Sequence, residues 1–178
     1  LPADKPFFYW FGTNDPHRPF DQDAGKKAGV DITKIKVPGF LPDVQEVRTD
    51  LADYFSEIMH FDKEVGDLLE MLKKDGRLKN TIIVVASDNG MPFPHAKANL
   101  YDYGTRVPLI ISGYPKYDQN NLNASFVNLL DLMPTFLDMA GIKNRPAMDG
   151  KSLLPVLKGE TTMHRTEVFL ERERHCLC

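Results

Sequence analysis

The stretch that decides the fold is Thr81-Ile82-Ile83-Val84-Val85-Ala86-Ser87-Asp88-Asn89-Gly90. Its run of β-branched residues predicts a strand that is buried on both faces, as strands are in parallel sheets. The Asp-Asn-Gly that follows is typical of a turn, and open α/β sheets bind their ligands at the carboxyl ends of such strands. Asp88 and Asn89 offer adjacent oxygen atoms of the kind that calcium prefers. Alternatively, both side chains bond only to the backbone of a type I turn.

Composition restricts the classes of protein to consider. With 178 residues, the chain is long enough for one substantial hydrophobic core. Hydrophobic residues make up 42% and charged residues 26%, which is ordinary for a globular protein. The net charge of −3 gives no basic surface for nucleic acid, and no apolar run approaches the roughly 20 residues of a membrane helix. We therefore expect a globular protein without a nucleic-acid partner or a membrane span.

The residues before the first long helix predict one strand and one connection. Residues 5–12 include Phe7-Phe8-Tyr9-Trp10-Phe11, which predicts a buried strand that leads into a polar loop. Residues 21–46 contain several prolines and glycines and show no period, so they are expected to form a long surface connection.

A long amphipathic helix is predicted from about residue 49 to residue 74. Apolar residues recur there at i, i+3 and i+4. Thr49 or Asp50 is the expected N-cap, because both side chains can accept a bond from the first free backbone N–H groups. Asp75-Gly76 is the expected stop.

The remaining elements complete an alternating pattern. After the strand at 81–86 we expect a strand at 107–112, a helix at 128–140, a short helix at 152–157 and a final strand at 167–171. Strands that alternate with helices predict an α/β fold with a layered sheet.

Polar side chains are concentrated in loops that follow predicted strands. Loops at strand ends are where α/β enzymes build their sites, so these loops are expected to converge. The first contains Asn14, Asp15, His17 and Arg18; the second contains Asp88 and Asn89; the third contains His95, Lys97, Asn99, Tyr101 and Arg106.

These loops resemble the motifs of the type I sulfatases. Asp-Pro-His-Arg-Pro-Phe at 15–20 is similar to their Pro-His loop, and Ser-Asp-Asn-Gly at 87–90 to their second metal-binding motif. Residues 97–108 are similar to the Lys-x3-Tyr-Glu-x-Gly-x-Arg-x-Pro signature, with Asp102 in place of Glu. Residues 128–135, 140–141 and 149–157 also fit the family pattern. Within the family, the loop at 17–20 and residues 89–94 and 171–175 most resemble the sulfamidase (heparan N-sulfatase) branch.

The resemblance implies an α/β, alkaline-phosphatase-like fold whose mixed sheet, flanked by helices, is incomplete in this chain. It also implies bound calcium and hydrolysis of sulfate esters or sulfamates of sulfated glycans. In this family a Cys or Ser in a Cys/Ser-x-Pro-x-Arg motif becomes formylglycine, whose hydrate attacks sulfur and displaces the alcohol or amine. Neither motif occurs in these 178 residues, and the earlier pair of metal-binding Asp residues is also missing.

We therefore expect residues 1–178 to be the middle-to-late part of one sulfatase catalytic domain, with a C-terminal subdomain region starting at 151–178. The full-length protein is expected to be an enzyme, and this chain by itself to be inactive.

The resemblance also assigns roles to individual residues. His17 and Lys97 match the family's sulfate-contacting positions. His17 would relay a proton or stabilise charge, and Lys97 would bind the sulfate as a point charge. Asp88 and Asn89 match metal ligands, and an amide oxygen at Asn89 favours calcium over zinc or manganese. The candidate substrate-binding residues are Arg18, His95, Arg174 and His175.

Other residues receive structural interpretations. Arg18 has the alternative of pairing with Asp15, while Arg106 and Asp102 are expected to form an ion pair that braces the third loop. His60 on the long helix and His164 in a polar loop are assigned no catalytic role.

Two other functions remain open at this stage. One is a phosphodiesterase or phosphonate hydrolase of the same superfamily, for which zinc or manganese would replace calcium. The other is a non-catalytic remnant that binds sulfated glycans. The expected partner is a sulfated carbohydrate, and the exposed edges of an incomplete sheet predict an oligomer as well. The family alone implies a periplasmic, secreted or lysosomal location.

Overall fold

The computed structural model describes residues 5–113, 122–143 and 146–171. The elements in chain order are α1 (Ala24–Lys27), α2 (Gln45–Lys74), β1 (Ile83–Ala86), α3 (Asp102–Thr105), β2 (Leu109–Ser112), α4 (Leu132–Met139) and α5 (Leu154–Leu157). Short 3-10 helices lie at Ile32–Lys34, Leu78–Asn80 and Leu129–Asp131. None of the helices in this part of the chain has the length and apolar character needed to cross a membrane.

The chain divides into two compact units. The first comprises Leu1–Arg77 with Asn89–Arg106, and the second comprises Leu78–Asp88 with Val107–Cys178. In the first unit, α2 provides Leu51 and Ala52 to a core that also contains Ile35 and Phe93. Phe20, at the end of the loop that contains His17, also packs against this core. Apolar side chains of α2 thus help to hold that loop and the loop at 91–97, which contains Phe93.

Helix α2 confirms the predicted long helix but begins one turn earlier than expected. Its N-cap is Val44, which makes no side-chain capping bond, so the prediction of Thr49 or Asp50 as N-cap is wrong. Thr49 instead donates its hydroxyl to the Gln45 carbonyl at 2.9 Å within the helix. The predicted stop is confirmed, because Asp75 is the C-cap and Gly76 has a φ of 71°.

Residues 21–46 are not the surface connection that was predicted. They form α1 and the 3-10 helix at Ile32–Lys34, and Gly25 and Ile35 are buried. A Cβ on Gly25 would lie 2.3 Å from the backbone carbon of Ala52, so only glycine allows this approach to α2. The backbone N–H of Gly25 donates to the buried Asp53 carboxylate at 2.8 Å. The prediction failed because these contacts join residues that are distant in sequence and leave no periodic pattern in residues 21–46.

In the second unit, β1 and β2 form a two-stranded antiparallel sheet. Ile83 pairs with Ser112 and Ala86 with Leu109. Both strands were predicted. The expectation that 81–86 is buried on both faces, as in a parallel sheet, is wrong, because β1 is antiparallel to β2 and is only half-buried. Residues of β2 alternate between half-buried and exposed, because an antiparallel pair can leave one face in solvent.

A buried polar network holds the rest of the second unit together. Asp131 and His164 are almost fully buried, and His164 Nε2 lies 2.9 Å from Asp131 Oδ2. Arg165 and the backbone N–H of Lys151 donate to Asp131 Oδ1 at 2.5 and 2.7 Å. Burial by itself would raise the pKa of the Asp131 carboxyl, but the hydrogen bonds to Arg165, two backbone N–H groups and His164 lower it well below its ordinary value.

Two predicted strands do not form. Residues 5–12 and 167–171 contain no strand, and Phe8, Tyr9 and Trp10 are 73%, 62% and 78% exposed. A strand needs a neighbour that supplies its ladder of hydrogen bonds. In the described ranges, β1 and β2 are the only strands, and they form backbone hydrogen bonds with each other.

The helices predicted at 128–140 and 152–157 are confirmed, with α4 and α5 starting a few residues later than expected.

Candidate functional site

His17 lies in a tight loop of the first unit, between cis peptide bonds at Asp15-Pro16 and Arg18-Pro19. Its backbone N–H donates to the Asn14 carbonyl at 2.7 Å, and its Nδ1 lies 2.6 Å from the Arg18 carbonyl oxygen. Because a carbonyl oxygen can only accept, Nδ1 carries the hydrogen in this bond. The exposed ring is therefore left with Nε2 free to accept a proton, or to donate one when the ring is charged.

Arg18 joins the Pro-His loop to the loop at 91–97. Its Nε donates to the Pro92 carbonyl at 2.9 Å, and its guanidinium carbon lies 4.8 Å from the centre of the Phe93 ring. The predicted convergence of the first and third loops is confirmed by these contacts. The suggested pairing with Asp15 is wrong, because the carboxylate that holds Arg18 is Asp50 on α2.

Asp15 instead faces α2 at a different position. Its Oδ2 lies 2.6 Å from His60 Nδ1, and the pKa of His60 is raised, chiefly by this hydrogen bond and also by the nearby Glu64 and Glu57. Asp15, His60 and Glu64 bring one ligand atom each to within 4.8 Å of one another. His60 had been assigned no role, and its partner was not foreseeable because Asp15 is distant in sequence.

Lys97 lies in a loop with a strained backbone. His95 and Ala98, two residues before it and one after it, both have a φ of 60°, which non-glycine residues rarely adopt. The Lys97 N–H donates to the Met91 carbonyl at 3.0 Å, and the neighbouring Ala96 is completely buried. The Lys97 side chain is half-buried. Its backbone is thus fixed although no regular element contains it.

His95 and the helix after Lys97 complete this loop. The exposed His95 ring contacts Phe40 and Tyr101, with ring centres 5.8 and 5.4 Å apart. The predicted ion pair between Arg106 and Asp102 is confirmed at 2.7 Å and joins the first residue of α3 to its C-cap. This pair is exposed and contributes little stability of its own.

Asp88 and Asn89 follow β1 as predicted, at the point where the chain leaves the second unit and re-enters the first. Asp88 is exposed and Asn89 is half-buried. Gly90 packs closely, because a Cβ there would lie 1.9 Å from the Tyr103 carbonyl oxygen. A carboxylate beside an amide oxygen fits calcium chemically. Calcium takes roughly six to eight oxygen ligands, and this pair supplies only some of them. Other groups must therefore complete such a site.

The other predicted substrate-binding residues, Arg174 and His175, lie outside the described residues. A shallow cleft of about 360 Å³ is lined by Lys151, His164 and Arg165 among others, and none of the predicted site residues lines it. The acidic partners Asp50 and Asp131 were missed by sequence reasoning, since an isolated aspartate in a helix carries no signal of its partner.

The chain belongs to the sulfatase family, whose model matches residues 1–142. Among curated proteins it is 32% identical to human N-sulphoglucosamine sulphohydrolase over 189 aligned positions, which cover 88% of this chain and 38% of that protein. It is 30% identical to bovine N-acetylglucosamine-6-sulfatase, covering 94% of this chain and 34% of the relative. The chain thus spans well under half the length of these relatives.

Solved structures of two hydrolases superpose on this chain. A sulfatase structure from work on glycosaminoglycan metabolism by Bacteroides thetaiotaomicron superposes with a TM-score of 0.76 at 23% identity, over 97% of this chain and 37% of that one. A phosphonate monoester hydrolase from Silicibacter pomeroyi gives a TM-score of 0.59 at 27% identity, over 87% of this chain and 34% of that one. The fold is therefore the alkaline-phosphatase-like α/β fold, present here in part.

Proposed function

We propose that this chain is part of the catalytic domain of a sulfatase whose full-length form hydrolyses sulfate esters or sulfamates of sulfated glycans. The observation that carries the proposal is the contact that Arg18 makes between the Pro-His loop and the loop at 91–97, both of which belong to the first unit. In the proposed reaction, a formylglycine hydrate, whose motif these 178 residues do not contain, would supply the oxygen nucleophile that attacks sulfur. The S–O or S–N bond to the sugar would break, and the sugar would leave as the alcohol or amine after it takes up a proton.

His17 and Lys97 are proposed to act on the sulfate and the leaving group. The ammonium of Lys97 balances the negative charge on the non-bridging oxygens as the transition state forms. His17 presents Nε2, because its Nδ1 hydrogen is already bound to the Arg18 carbonyl. A protonated Nε2 can give its proton to the departing alcohol or amine. His95, Arg174 and His175 are proposed to contact other parts of the sugar.

Asp88 and Asn89 are proposed to hold calcium through their side-chain oxygens. When bound, the ion supplies positive charge that draws electron density from a sulfate oxygen. Their role in this chain is to present a carboxylate and an amide in fixed order directly after β1, where Gly90 packs against Tyr103 and limits the movement of the turn. We propose one partial catalytic domain for residues 1–178, with the subdomain region from 151.

The relatives suggest the substrate. The names of the human and bovine relatives specify N-sulphoglucosamine and N-acetylglucosamine 6-sulfate. We propose a sulfated glucosamine of this kind as the substrate. An N-sulfated sugar is the preferred candidate, because the motifs at 17–20 and 89–94 most resemble the sulfamidase branch. A secreted, periplasmic or lysosomal location and self-association are part of the same proposal.

Replacement of Lys97 by Ala in the full-length enzyme tests this proposal. We expect kcat for release of sulfate from N-sulfoglucosamine or N-acetylglucosamine 6-sulfate to fall by roughly two orders of magnitude, the scale of losing one preorganised charge stabiliser. Sulfate release measured by ion chromatography gives the rate, and comparison of the two sugars gives the preference for N- or O-sulfate.

Lys36→Ala is the matched control, because Lys36 is an exposed lysine of the same unit outside the predicted motifs. It is expected to retain the parent rate. Unchanged turnover in Lys97→Ala would contradict the assignment. Binding of sulfated sugar without any turnover by the parent full-length protein would favour the non-catalytic alternative.

A further inference from the structure

We propose that Asp50 is a positioning residue for His17 and acts through Arg18. The inference rests on the proposed function, in which His17 contacts the sulfated substrate. Neither Asp50 nor α2, to which it belongs, carries any of the sequence motifs that define the site. Its influence on the imidazole follows from a chain of contacts, each within the first unit.

Asp50 holds the guanidinium of Arg18 as a bidentate pair. Arg18 Nη1 donates to Asp50 Oδ1 at 2.9 Å, and Nη2 donates to Oδ2 at 2.5 Å. Two parallel bonds fix the plane of the guanidinium as well as its distance, which a single bond cannot do. Both side chains are only 40% exposed, so solvent screens this pair less than it screens a pair on an open surface.

Other groups hold Arg18 from the remaining directions. Nε donates to the Pro92 carbonyl at 2.9 Å, and the guanidinium carbon lies 4.5 Å from the Phe20 ring centre and 4.8 Å from that of Phe93. The fork that binds Asp50 cannot also clamp a substrate anion bidentately without releasing that carboxylate. The contacts therefore favour a positioning role for Arg18 over direct substrate binding.

The backbone of Arg18 transmits this rigidity to His17. The Arg18 carbonyl oxygen accepts the Nδ1 hydrogen of His17 at 2.6 Å. This bond selects the imidazole tautomer and limits rotation of the ring, so it decides where Nε2 lies. Because Asp50 anchors the side chain on the same residue, loss of Asp50 frees the carbonyl to shift and the imidazole to turn.

Substitution Asp50→Asn in the full-length enzyme tests the proposal. It keeps the shape of the side chain but removes the charge and one acceptor, so one arm of the fork is lost. We expect kcat to fall about tenfold to a hundredfold, the scale of a displaced catalytic group. The limb of the pH–rate profile that disappears in His17→Ala should shift, because His17 would sample other orientations and tautomers. In the His17→Ala background the same substitution should cost no more than about twofold, since the two changes act on one interaction.

Asp43→Asn is the matched control. Asp43 forms an equally bidentate pair with Arg48, at 2.5 and 2.8 Å, just before α2, but it does not touch the Pro-His loop. It should leave kcat and the pH–rate profile unchanged, and Asp50→Glu should recover part of the activity.

The outcomes separate the two proposals. If His17→Ala inactivates the enzyme while Asp50→Asn keeps the parent kcat and pH–rate profile, the positioning role is wrong and the proposed function stands. Equal losses in Asp50→Asn and Asp43→Asn, with matching falls in Tm, would also overturn it, because they indicate general destabilisation. If His17→Ala itself remains fully active, the assignment of His17 in the proposed function fails.

Discussion

At the scale of single residues, the contact of Asp15 with His60 is informative because no sequence pattern predicted it. Sequence reasoning assigned Asp15 to a loop of polar groups and gave His60 no role. The structure joins Asp15 Oδ2 and His60 Nδ1 at 2.6 Å, and it places Glu57 and Glu64 near the same imidazole. Carboxylates on several sides favour the charged form of a histidine.

His60 is expected to titrate above 6.5, its ordinary pKa, because the bond to Asp15 stabilises the imidazolium. A histidine whose pKa is raised by folding contributes stability below the unfolded-state pKa, and this contribution is lost as pH rises through the folded-state pKa. NMR titration of the ring protons checks this, and Asp15→Asn should lower the measured pKa.

Asp67→Asn is the control for this titration. Asp67 forms an exposed ion pair with Lys63 on the same helix, so its removal should leave the His60 titration in place. A His60 pKa that does not respond to Asp15→Asn would show that the ion pair does not form in solution.

At the scale of elements, the turn after β1 depends on its close approach to α3. A Cβ on Gly90 would lie 1.9 Å from the Tyr103 carbonyl oxygen and 2.7 Å from Gly104 Cα. Backbone atoms cannot rotate away as the end of a flexible side chain can, so a methyl group here must displace either the turn or α3. The sequence shows a glycine in a turn motif, whereas the structure shows that its function is close packing.

Gly90→Ala is therefore expected to destabilise the protein by about 1–3 kcal/mol, the usual cost of overpacking. Since Asn89, the adjacent residue, is a proposed calcium ligand, the proposal also predicts weaker calcium retention in this variant. Gly39→Ala is the control, because a Cβ at Gly39 meets no atom within 4 Å. Thermal unfolding of both variants in the full-length protein measures the difference, and equal Tm values would contradict the close approach.

At the scale of the whole molecule, the metal distinguishes the proposed sulfatase from the alternative hydrolase. Both solved relatives share the fold, so the fold alone does not choose between them. The proposed metal ligands Asp88 and Asn89 favour the sulfatase, because a carboxylate beside an amide oxygen suits calcium, whereas zinc and manganese sites more often recruit imidazole.

Elemental analysis of the purified full-length protein is expected to find calcium. Asp88→Ala should reduce its calcium content and lower Tm in the presence of calcium, while a chelator should have little further effect on this variant. Glu46→Gln, which changes an exposed carboxylate at the start of α2, should behave as the parent. Zinc or manganese in place of calcium would favour a phosphodiesterase or phosphonate hydrolase.

Local patterns determined a large part of this protein. The periodicity of α2, its stop at Asp75 and Gly76, the strand core of 83–86 and the Asp102–Arg106 pair all depend on residues close in sequence, and all are confirmed. The motifs that identify the sulfatase family are local as well. Propensities, caps and i,i+4 contacts act over a few residues, so the sequence states them directly.

The tertiary structure decided which distant groups meet. The antiparallel pairing of β1 with β2, the exposure of Phe8 and Trp10, and the ion pair between Arg18 and Asp50 depend on what packs against each segment. A strand pattern records which faces are apolar but not which strand becomes its neighbour. An aspartate in the sequence likewise indicates a negative charge but not which cationic side chain will pair with it, because folding brings that partner near.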